Sequence, residues 1–222
     1  FIPNLILPIV RYIYKNCDKI LVTSKGFTES INKKTKNKEI MYMPQWGEEI
    51  FTKKNNNDFI YEPMEKIKDF KILFAGNIGV AQDIDSVINA MNEIKTQKVH
   101  LVILGDGRAK KDILKKIKAM NLESKVSLFG SFPLDTMPYF FNQADALLIS
   151  LKKSDIFSRT IPGKTQAYMP SGKPILTIAD GEISRIINEA QCGLTANSGD
   201  YKTLSKNIIN LSKQSKFELK LM

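Results

Sequence analysis

The chain is poor in the residue types that most often carry catalytic or metal-binding chemistry. Its 222 residues include two cysteines, one histidine and one tryptophan. Cys17 and Cys192 stand alone, without a CxxC motif or a paired spacing, which favours a protein of a reducing compartment over a disulfide framework or zinc site. His100 lies in an apolar segment typical of a core strand. The sequence also shows no Ser/His/Asp set and no nucleophile beside a base.

Long apolar runs are missing as well. No run of about 18 apolar residues predicts a membrane-spanning helix, and the N-terminus does not have the pattern of a signal peptide. Phe1 is not an initiator methionine, and the sequence stops within a helical pattern, so we expect a piece excised from a longer protein. We predict a cytoplasmic location, with the inner face of the cell membrane as an alternative.

Acidic residues are fewer than basic ones, at 23 against 33, which gives a formal net charge of +10. A basic chain suits nucleic acid, an anionic membrane surface or a phosphorylated ligand. No RNA-binding aromatic motif, zinc-finger spacing or arginine-rich arm is present, so we predict no nucleic-acid partner. The lysines of segment 110–118 are typical of a solvated helix face, with peripheral contact to an anionic membrane as the lesser alternative.

Apolar segments alternate with amphipathic helices from residue 67 onward. Ile84, Val87, Ile88 and Met91 follow the spacing of a core-facing helix. Strands are predicted at 70–75, 98–104, 125–129, 144–150, 173–178 and 192–196. This alternation predicts an α/β fold with a doubly wound, Rossmann-like parallel sheet over residues 67–222.

Residues 1–66 have too few elements to form a domain of their own. Helices are predicted at 3–16 and 25–32, and short strands at 19–23 and 39–43. So few elements cannot bury their apolar faces alone. We interpret residues 1–66 as the end of a partial N-terminal domain, with an interdomain connection at 44–66.

Parallel sheets bind ligands beyond the carboxyl ends of their strands. Several predicted strand ends carry turns that could approach a phosphate or a base, and the candidate binding residues there are Gly76, Asn77, Gly79, Gly105, Phe129, Gly130, Ser131 and Phe132. The glycine pair 76 and 79 is weak evidence alone, because tight turns need glycine anyway. Segment 129–132 is open to two interpretations: backbone groups that meet a base edge, or a hydrophobic plug.

The segment 161–178 contains the sharpest local signal. Pro162 and Gly163 break the chain, and a short helix is predicted to begin at Lys164. Unpaired N–H groups at a helix start attract anions, and the lysine adds charge there. We therefore predict a phosphate corner formed by Arg159, Lys164 and Thr165. The alternative is an ordinary turn in which the glycine serves only the backbone and the arginine is solvated.

Several motifs together resemble one known family. They are Phe74–Gly79 with Gln82, Val102–Gly107, Thr160–Lys164, Tyr168–Met169, Ser171–Ile175, Gly181–Glu182 and Cys192–Gly193, with Ile20–Phe27 and Tyr42–Phe51 upstream. The combination, which covers nearly the whole chain, resembles the retaining nucleotide-sugar glycosyltransferases of the GT-B class, group 1, and in particular the branch of bacterial capsule and O-antigen assembly.

The resemblance implies a function for each part of the chain. Residues 67–222 would bind a UDP-sugar or GDP-sugar donor, without a metal or other cofactor. The acceptor would be a saccharide or a lipid-linked saccharide. The catalytic groups are unknown and expected in the part of the acceptor domain that precedes Phe1, so the fragment alone is expected to be inactive.

The chain departs from the family pattern at the donor site. Asn77 and Gln82 are neutral where many relatives carry an arginine and a lysine that bind the diphosphate. Arg159 and Ala167 stand where many relatives carry two glutamates, the second of which binds the ribose. The resemblance therefore leaves the diphosphate charge to Lys164 and Arg159, and it makes Glu182 a candidate for the ribose contact.

Two other functions share much of this pattern. A nucleotide-sugar 2-epimerase has the same two-domain fold, although its glycine-rich segment followed by paired glutamates is not visible here. A non-catalytic nucleotide-binding module is the other alternative.

Overall fold

The computed structural model describes residues 2–35, 38–52 and 59–222, with side chains from residue 6 onward. Residues 53–58, which belong to the predicted interdomain connection, lie outside the described part. Among the described residues, no helix combines the length and the apolar character that a membrane span requires.

Helices and strands alternate along most of the described chain. The strands are β1 (Lys19–Val22), β2 (Glu39–Tyr42), β3 (Phe70–Ala75), β4 (Val99–Leu104), β5 (Val126–Gly130), β6 (Ala146–Ser150), β7 (Ile175–Ile178) and β8 (Gly193–Ala196). The helices are α1 (Ile2–Asn16), α2 (Thr28–Asn32), α3 (Glu62–Lys66), α4 (Ile84–Glu93), α5 (Lys110–Ala119), α6 (Met137–Gln143), α7 (Asp155–Ser158), α8 (Lys164–Tyr168), α9 (Glu182–Ala190), α10 (Tyr201–Ser212) and α11 (Lys216–Lys220).

Six of these strands form one parallel sheet, in the order β5-β4-β3-β6-β7-β8. The chain builds outward from β3 to β5, returns to place β6 on the other side of β3, and then builds outward again to β8. This confirms the predicted α/β fold with a parallel sheet flanked by helices. The order reverses between β3 and β6, so these two strands define the switch point of the sheet.

Buried apolar side chains cover both faces of the sheet, as a parallel sheet requires. One face packs against α4, α5 and α10, and the other packs against α6, α8 and α9. Every residue of β4 is buried. The four apolar positions predicted to form the inner face of α4 are also buried, which confirms that prediction.

The N-terminal elements bury little surface of their own. The strands β1 and β2 form a separate parallel pair, over a small core of Ile20, Val22 and Ile31. Helix α1 leaves several large apolar side chains exposed, among them Ile9 and Tyr12. At the other end of this region, Met64 of α3 is fully buried in the core of the six-stranded sheet. The boundary between residues 66 and 67 stays a prediction.

Some local predictions need adjustment. The helix predicted at 25–32 is a 3₁₀ turn over Lys25–Phe27 followed by α2. Ser24 caps this 3₁₀ turn, because its hydroxyl accepts from the N–H of Gly26 at 3.3 Å. Helix α7 lies between the predicted strand 144–150 and the predicted helix start at Lys164, where the sequence predicted no element, and Ser154 caps it.

Helix α8 fills the gap that opens at the switch point. Strand β3 pairs with β6 through Ile72 and Leu73, and Ala75 lies beyond this paired stretch. The Tyr168 hydroxyl accepts from the N–H of Ala75 at 2.9 Å and donates to its carbonyl at 3.3 Å. The tyrosine is buried. Its hydroxyl therefore bonds the backbone groups that a neighbouring strand would otherwise bond.

We predict that Tyr168→Phe destabilises the fold by about 1–3 kcal/mol, because it leaves half-buried donor and acceptor groups of Ala75 unsatisfied. Urea denaturation of both proteins measures this difference. Tyr12→Phe is the matched control, because that side chain is 71% exposed. Equal stability of Tyr168→Phe and the wild type would contradict the role assigned to the hydroxyl.

Candidate functional site

The candidate site is the crevice at the carboxyl ends of β3 and β6. The turn that follows β3 runs over residues 76–83, and the segment that follows β6 leads through α7 to α8. Ser150, at the end of β6, donates from its hydroxyl to the carbonyl of Gln82. The N–H of Lys152 donates to the carbonyl of Ala81 at 2.8 Å. The two strand ends are therefore tied together beside the gap.

Lys164 is the charged side chain placed most directly in this crevice. It lies one helical turn before Tyr168, so both side chains leave the same face of α8. Its Nζ atom is 3.5 Å from the centroid of the Phe74 ring, and a Cβ atom built on Gly76 would lie 3.4 Å from that nitrogen. Within the described residues Nζ is buried without a hydrogen-bond partner, and so is the hydroxyl of Thr165.

The surroundings of Lys164 disfavour its charged form. Burial lowers the pKa of Lys164 to about 7, and no charged neighbour contributes to that shift. The Phe74 ring offers a cation–π contact, which compensates only part of the lost hydration. An anion placed beside Nζ would raise the pKa of the lysine again. Within the described residues, the crevice thus contains a buried lysine nitrogen to which no residue supplies a hydrogen bond.

This geometry corrects the predicted phosphate corner. The sequence places the ammonium among free N–H groups at the start of its own helix. In the structure the N–H groups of Thr165 and Gln166 donate to the carbonyls of Pro162 and Gly163. The lysine side chain instead points into the β3–β6 gap beneath Gly76. Contact of Lys164 with an anion stays a prediction.

In the first glycine turn, residues 76–79, most backbone N–H groups already donate to partners within the protein. The N–H of Gly76 donates to the Leu104 carbonyl at 2.9 Å, and that of Ile78 donates to the Asp106 carbonyl at 2.8 Å. The N–H of Gly79 donates to the Gln82 side chain at 3.1 Å. Gln82 therefore caps the turn within the protein, where the resemblance places a residue that contacts the donor.

Two further candidates are explained by packing of this turn. Gly105 has a φ of +133°, and a Cβ atom there would come within 1.9 Å of the Gly76 carbonyl oxygen. Only glycine permits that approach. A Cβ atom on Gly79 or on Gly107 would meet the Asn77 side chain, so both glycines leave room for it. Contacts of Asn77 and these glycines with a donor stay predictions.

Segment 129–132 forms the hydrophobic plug, which was one of its two interpretations. The rings of Phe129 and Phe132 each contact Tyr61 edge-on, with centroids 5.0 Å apart. Between them, Gly130 uses its carbonyl to accept from Gly105 at 2.7 Å, while Ser131 is exposed. A base contact by the backbone of this segment stays a prediction.

Glu182 is engaged within the protein. Its carboxylate accepts from the Arg185 guanidinium at 3.2 and 3.0 Å and from the Ser24 hydroxyl at 3.5 Å. The hydrogen bonds with Arg185 are the main reason that the pKa of Glu182 is lowered. Arg159 lies nearby, since a Cβ atom on Gly26 would touch both the backbone of Arg159 and the side chain of Glu182. A ribose contact by Glu182 stays a prediction, and the carboxylate would accept from the ribose in addition to these bonds.

Sequence reasoning missed two cations beside the first glycine turn. Arg108 and Lys152 line a cavity of 190 Å³ together with Gly79 and Asp83. Each follows a strand-end turn closely in sequence, which is the signal that could have found them.

The remaining sequence candidates are structural. His100 is buried in β4, and its Nε2 atom lies 2.8 Å from the Ser127 hydroxyl. Burial lowers the pKa of His100. On the lysine-rich face of α5, Lys110 pairs with Asp106 at 3.0 Å. The structure agrees with a core position for His100 and with a solvated helix face for the lysines of segment 110–118.

A family model described as "Glycosyl transferases group 1" matches residues 69–214. The matched stretch contains the six-stranded sheet and the β3–β6 crevice. The chain therefore belongs to the group 1 glycosyltransferases.

Individual proteins agree with this assignment. The chain is 27% identical over 211 residues to "Probable glycosyltransferase WbjE" of Pseudomonas aeruginosa, which covers 92% of this chain and 52% of that protein. The structure of this chain is similar to that of Anabaena Alr3699/HepE in complex with UDP. The TM-score is 0.75 and the identity 16%, over 92% of this chain and 56% of that chain. It is also similar to WaaG, a glycosyltransferase of lipopolysaccharide biosynthesis, with a TM-score of 0.71, 18% identity and coverage of 91% and 55%. The chain spans about half the length of these proteins.

We predict that Lys164→Met stabilises the fold by roughly 2–4 kcal/mol near pH 7, and by less near pH 10. The folded-state pKa of about 7 lies below the unfolded value of about 10.4. Between these values the unfolded chain binds more protons, so wild-type stability rises with pH through this window. Methionine fills a similar volume and removes the buried ammonium.

Denaturant titrations of the wild type and the variant at both pH values measure this difference. Lys111→Met, on the exposed face of α5, is the control and is expected to change little at either pH. If Lys164→Met is less stable than the wild type at neutral pH, the ammonium has a partner that stabilises it, and the account of the crevice is wrong.

Proposed function

We propose that this chain is the donor-binding half of a retaining, metal-independent glycosyltransferase of capsule or O-antigen assembly. In this proposal it binds a nucleoside diphosphate sugar, with a UDP-sugar as the first candidate and a GDP-sugar as the second. The sugar passes to a saccharide or a lipid-linked saccharide. Family membership supports transfer of a sugar, and a similar fold is known in complex with UDP. The similarity to a glycosyltransferase of lipopolysaccharide biosynthesis supports the cell-surface branch.

The observation that carries the proposal is the unpartnered ammonium of Lys164. The nitrogen lies beneath Gly76, at the switch point where doubly wound sheets bind their ligands. A diphosphate that settles over Gly76 would supply the missing anion. Its charge would hold the lysine protonated, and the pair would interact strongly because the Lys164 nitrogen is buried.

This arrangement suits the chemistry of glycosyl transfer. When the bond between the anomeric carbon and the diphosphate breaks, negative charge accumulates on the leaving group. Fixed cations that are already in position stabilise that charge without reorganisation. We propose that Lys164 has this role, with added positive charge from Arg108 and Lys152, which line the cavity beside Gly79, and from Arg159. These cations stand in for the neutral Asn77 and Gln82, and they support the proposal of metal independence.

We propose that the full protein works at the cytoplasmic face of the cell membrane. The net charge of +10 favours contact with anionic lipid, and a lipid-linked acceptor would be presented there. The resemblance assigns no catalytic residue to positions 1–222. We therefore expect these residues to bind the donor without transferring its sugar.

We predict that Lys164→Ala weakens UDP binding by roughly ten- to a hundredfold, the amount expected for a charge-assisted contact of ~1.5–3 kcal/mol. Binding of uridine is expected to change little, because uridine lacks the diphosphate. Calorimetric titration of wild type and variant with both ligands measures the difference.

Lys111→Ala is the matched control, and it is expected to bind both ligands like the wild type. Equal UDP affinity in Lys164→Ala and the wild type would remove the lysine from the diphosphate site. If neither UDP nor GDP binds the wild-type chain, the proposed function itself is wrong.

A further inference from the structure

A cavity of 410 Å³ lies at the opposite end of the six-stranded sheet from the Lys164 crevice. Its walls come from the amino ends of β3, β6 and β7, the end of α6, and α11. We call it the lysine basin, after its charged residues: Lys71, Asp145, Lys173, Lys216 and Lys220. These three strands are parallel, and a strand such as β3 spans roughly 15–20 Å. The basin is therefore a different site from the Lys164 crevice.

The charges of the lysine basin do not balance. Four ammonium groups share the cavity with one carboxylate, that of Asp145. This carboxylate accepts from the backbone N–H of Lys71 at 2.7 Å. Within the described residues none of the four lysines forms a salt bridge, whereas three lysines of α5 have carboxylate partners within 3.5 Å. The basin thus differs from an ordinary solvated lysine face, where carboxylates alternate with the lysines.

The four ammonium groups keep donors for a ligand. Lys173 donates from Nζ to the Asn142 carbonyl at 2.8 Å, and Lys71 bonds a backbone carbonyl in the same way at 3.3 Å. Lys216 and Lys220 are exposed, and their side chains have no hydrogen-bond partner within the part of the chain that the structure describes. They lie four residues apart on α11 and so share one of its faces. Each ammonium has three N–H donors, so all four can still bond an anion.

The lysines of the basin also destabilise one another's charged form. Burial is the main reason that the pKa of Lys173 is lowered. Asp145 raises this pKa, whereas the charges of the other three lysines of the basin lower it. Like charges that the fold holds close together repel one another, and a bound anion would relieve this repulsion.

We propose that the lysine basin binds a multiply charged phosphate group, in the form of a phosphate monoester or a diphosphate. Lysine binds phosphate as a point charge, and a monoester carries a charge of about −2 near neutral pH. One such group would compensate two of the lysines. The cavity volume lies within the range of about 300–1,000 Å³ that is usual for small-molecule sites. This site goes beyond the proposed function, because it lies outside the crevice assigned to the donor.

Calorimetric titration of the 222-residue chain with inorganic pyrophosphate tests the inference. Saturable binding is expected, and the double variant Lys216→Gln/Lys220→Gln is expected to weaken it about tenfold or more, since two charge-assisted contacts are lost. Lys111→Gln/Lys115→Gln is the matched control. It removes the same charge at the same spacing from exposed positions on α5, and it is expected to bind like the wild type. Melting temperatures close to that of the wild type check that both double variants fold.

Pyrophosphate can also enter the Lys164 crevice, so the comparison is repeated in chains that carry Lys164→Ala. Binding to the basin, and its loss in Lys216→Gln/Lys220→Gln, are expected to remain. The inference is wrong if Lys164→Ala alone abolishes pyrophosphate binding, if the two double variants bind equally in that background, or if the wild type does not bind. A wild type that binds pyrophosphate in the basin but does not bind UDP or GDP would overturn only the proposed function.

Two sources offer this phosphate chemistry, the headgroup of a membrane lipid and a free phosphate compound. Cosedimentation with vesicles of phosphatidylcholine, with and without phosphatidic acid, distinguishes them. Sedimentation that requires phosphatidic acid, decreases in Lys216→Gln/Lys220→Gln more than in the control, and is reversed by pyrophosphate identifies the lipid. Pyrophosphate binding by the basin without such sedimentation identifies a free phosphate compound. Both results support a phosphate site in the lysine basin.

Discussion

The structure depends on how the gap between β3 and β6 is closed. Two parallel strands that part at a switch point leave backbone groups without a neighbour, and buried groups of that kind must be satisfied. Tyr168 satisfies those of Ala75 from the side, through a hydroxyl that both accepts and donates. This contact fixes α8 against the sheet. Lys164, one turn earlier on the same helix, is thereby carried into the crevice.

The same arrangement imposes a cost on the fold. Hydrophobic burial drives the packing of α8, but it also removes the lysine ammonium from water without giving it a counter-ion. The protein accommodates this through the lowered pKa of Lys164 and the contact with Phe74. Local rules of stability are most often broken where a protein binds or reacts. An anionic ligand over Gly76 would turn an unfavourable feature of the empty protein into a favourable contact.

The elements of the fold could be predicted because they depend on local pattern. Apolar runs marked the strands of the large sheet, and the spacing of apolar residues marked α4. The glycine turns were placed correctly at strand ends, since sharp turns need glycine whatever their function. Lys164 was also selected from sequence, through its position after Gly163 at a helix start.

The contacts of the site could not be predicted, because they depend on residues far apart in sequence. Nothing near Lys164 indicates that its ammonium lies against Phe74 and under Gly76. Nothing near Glu182 indicates that Ser24 donates to it from the N-terminal region. Nothing near Gly105 indicates that it approaches the carbonyl of Gly76, and its contact with a ligand stays a prediction.

The central claim is that Lys164 binds the anionic diphosphate of the ligand. Proton uptake on ligand binding tests this claim most directly. UDP binding would be measured calorimetrically at about pH 8 in buffers of different ionisation enthalpy, for the wild type and for Lys164→Met. At this pH the unliganded lysine is mostly neutral, so the account predicts uptake of about one proton by the wild type and none by the variant. UDP binding without proton uptake, or with the same uptake in Lys164→Met, would contradict it.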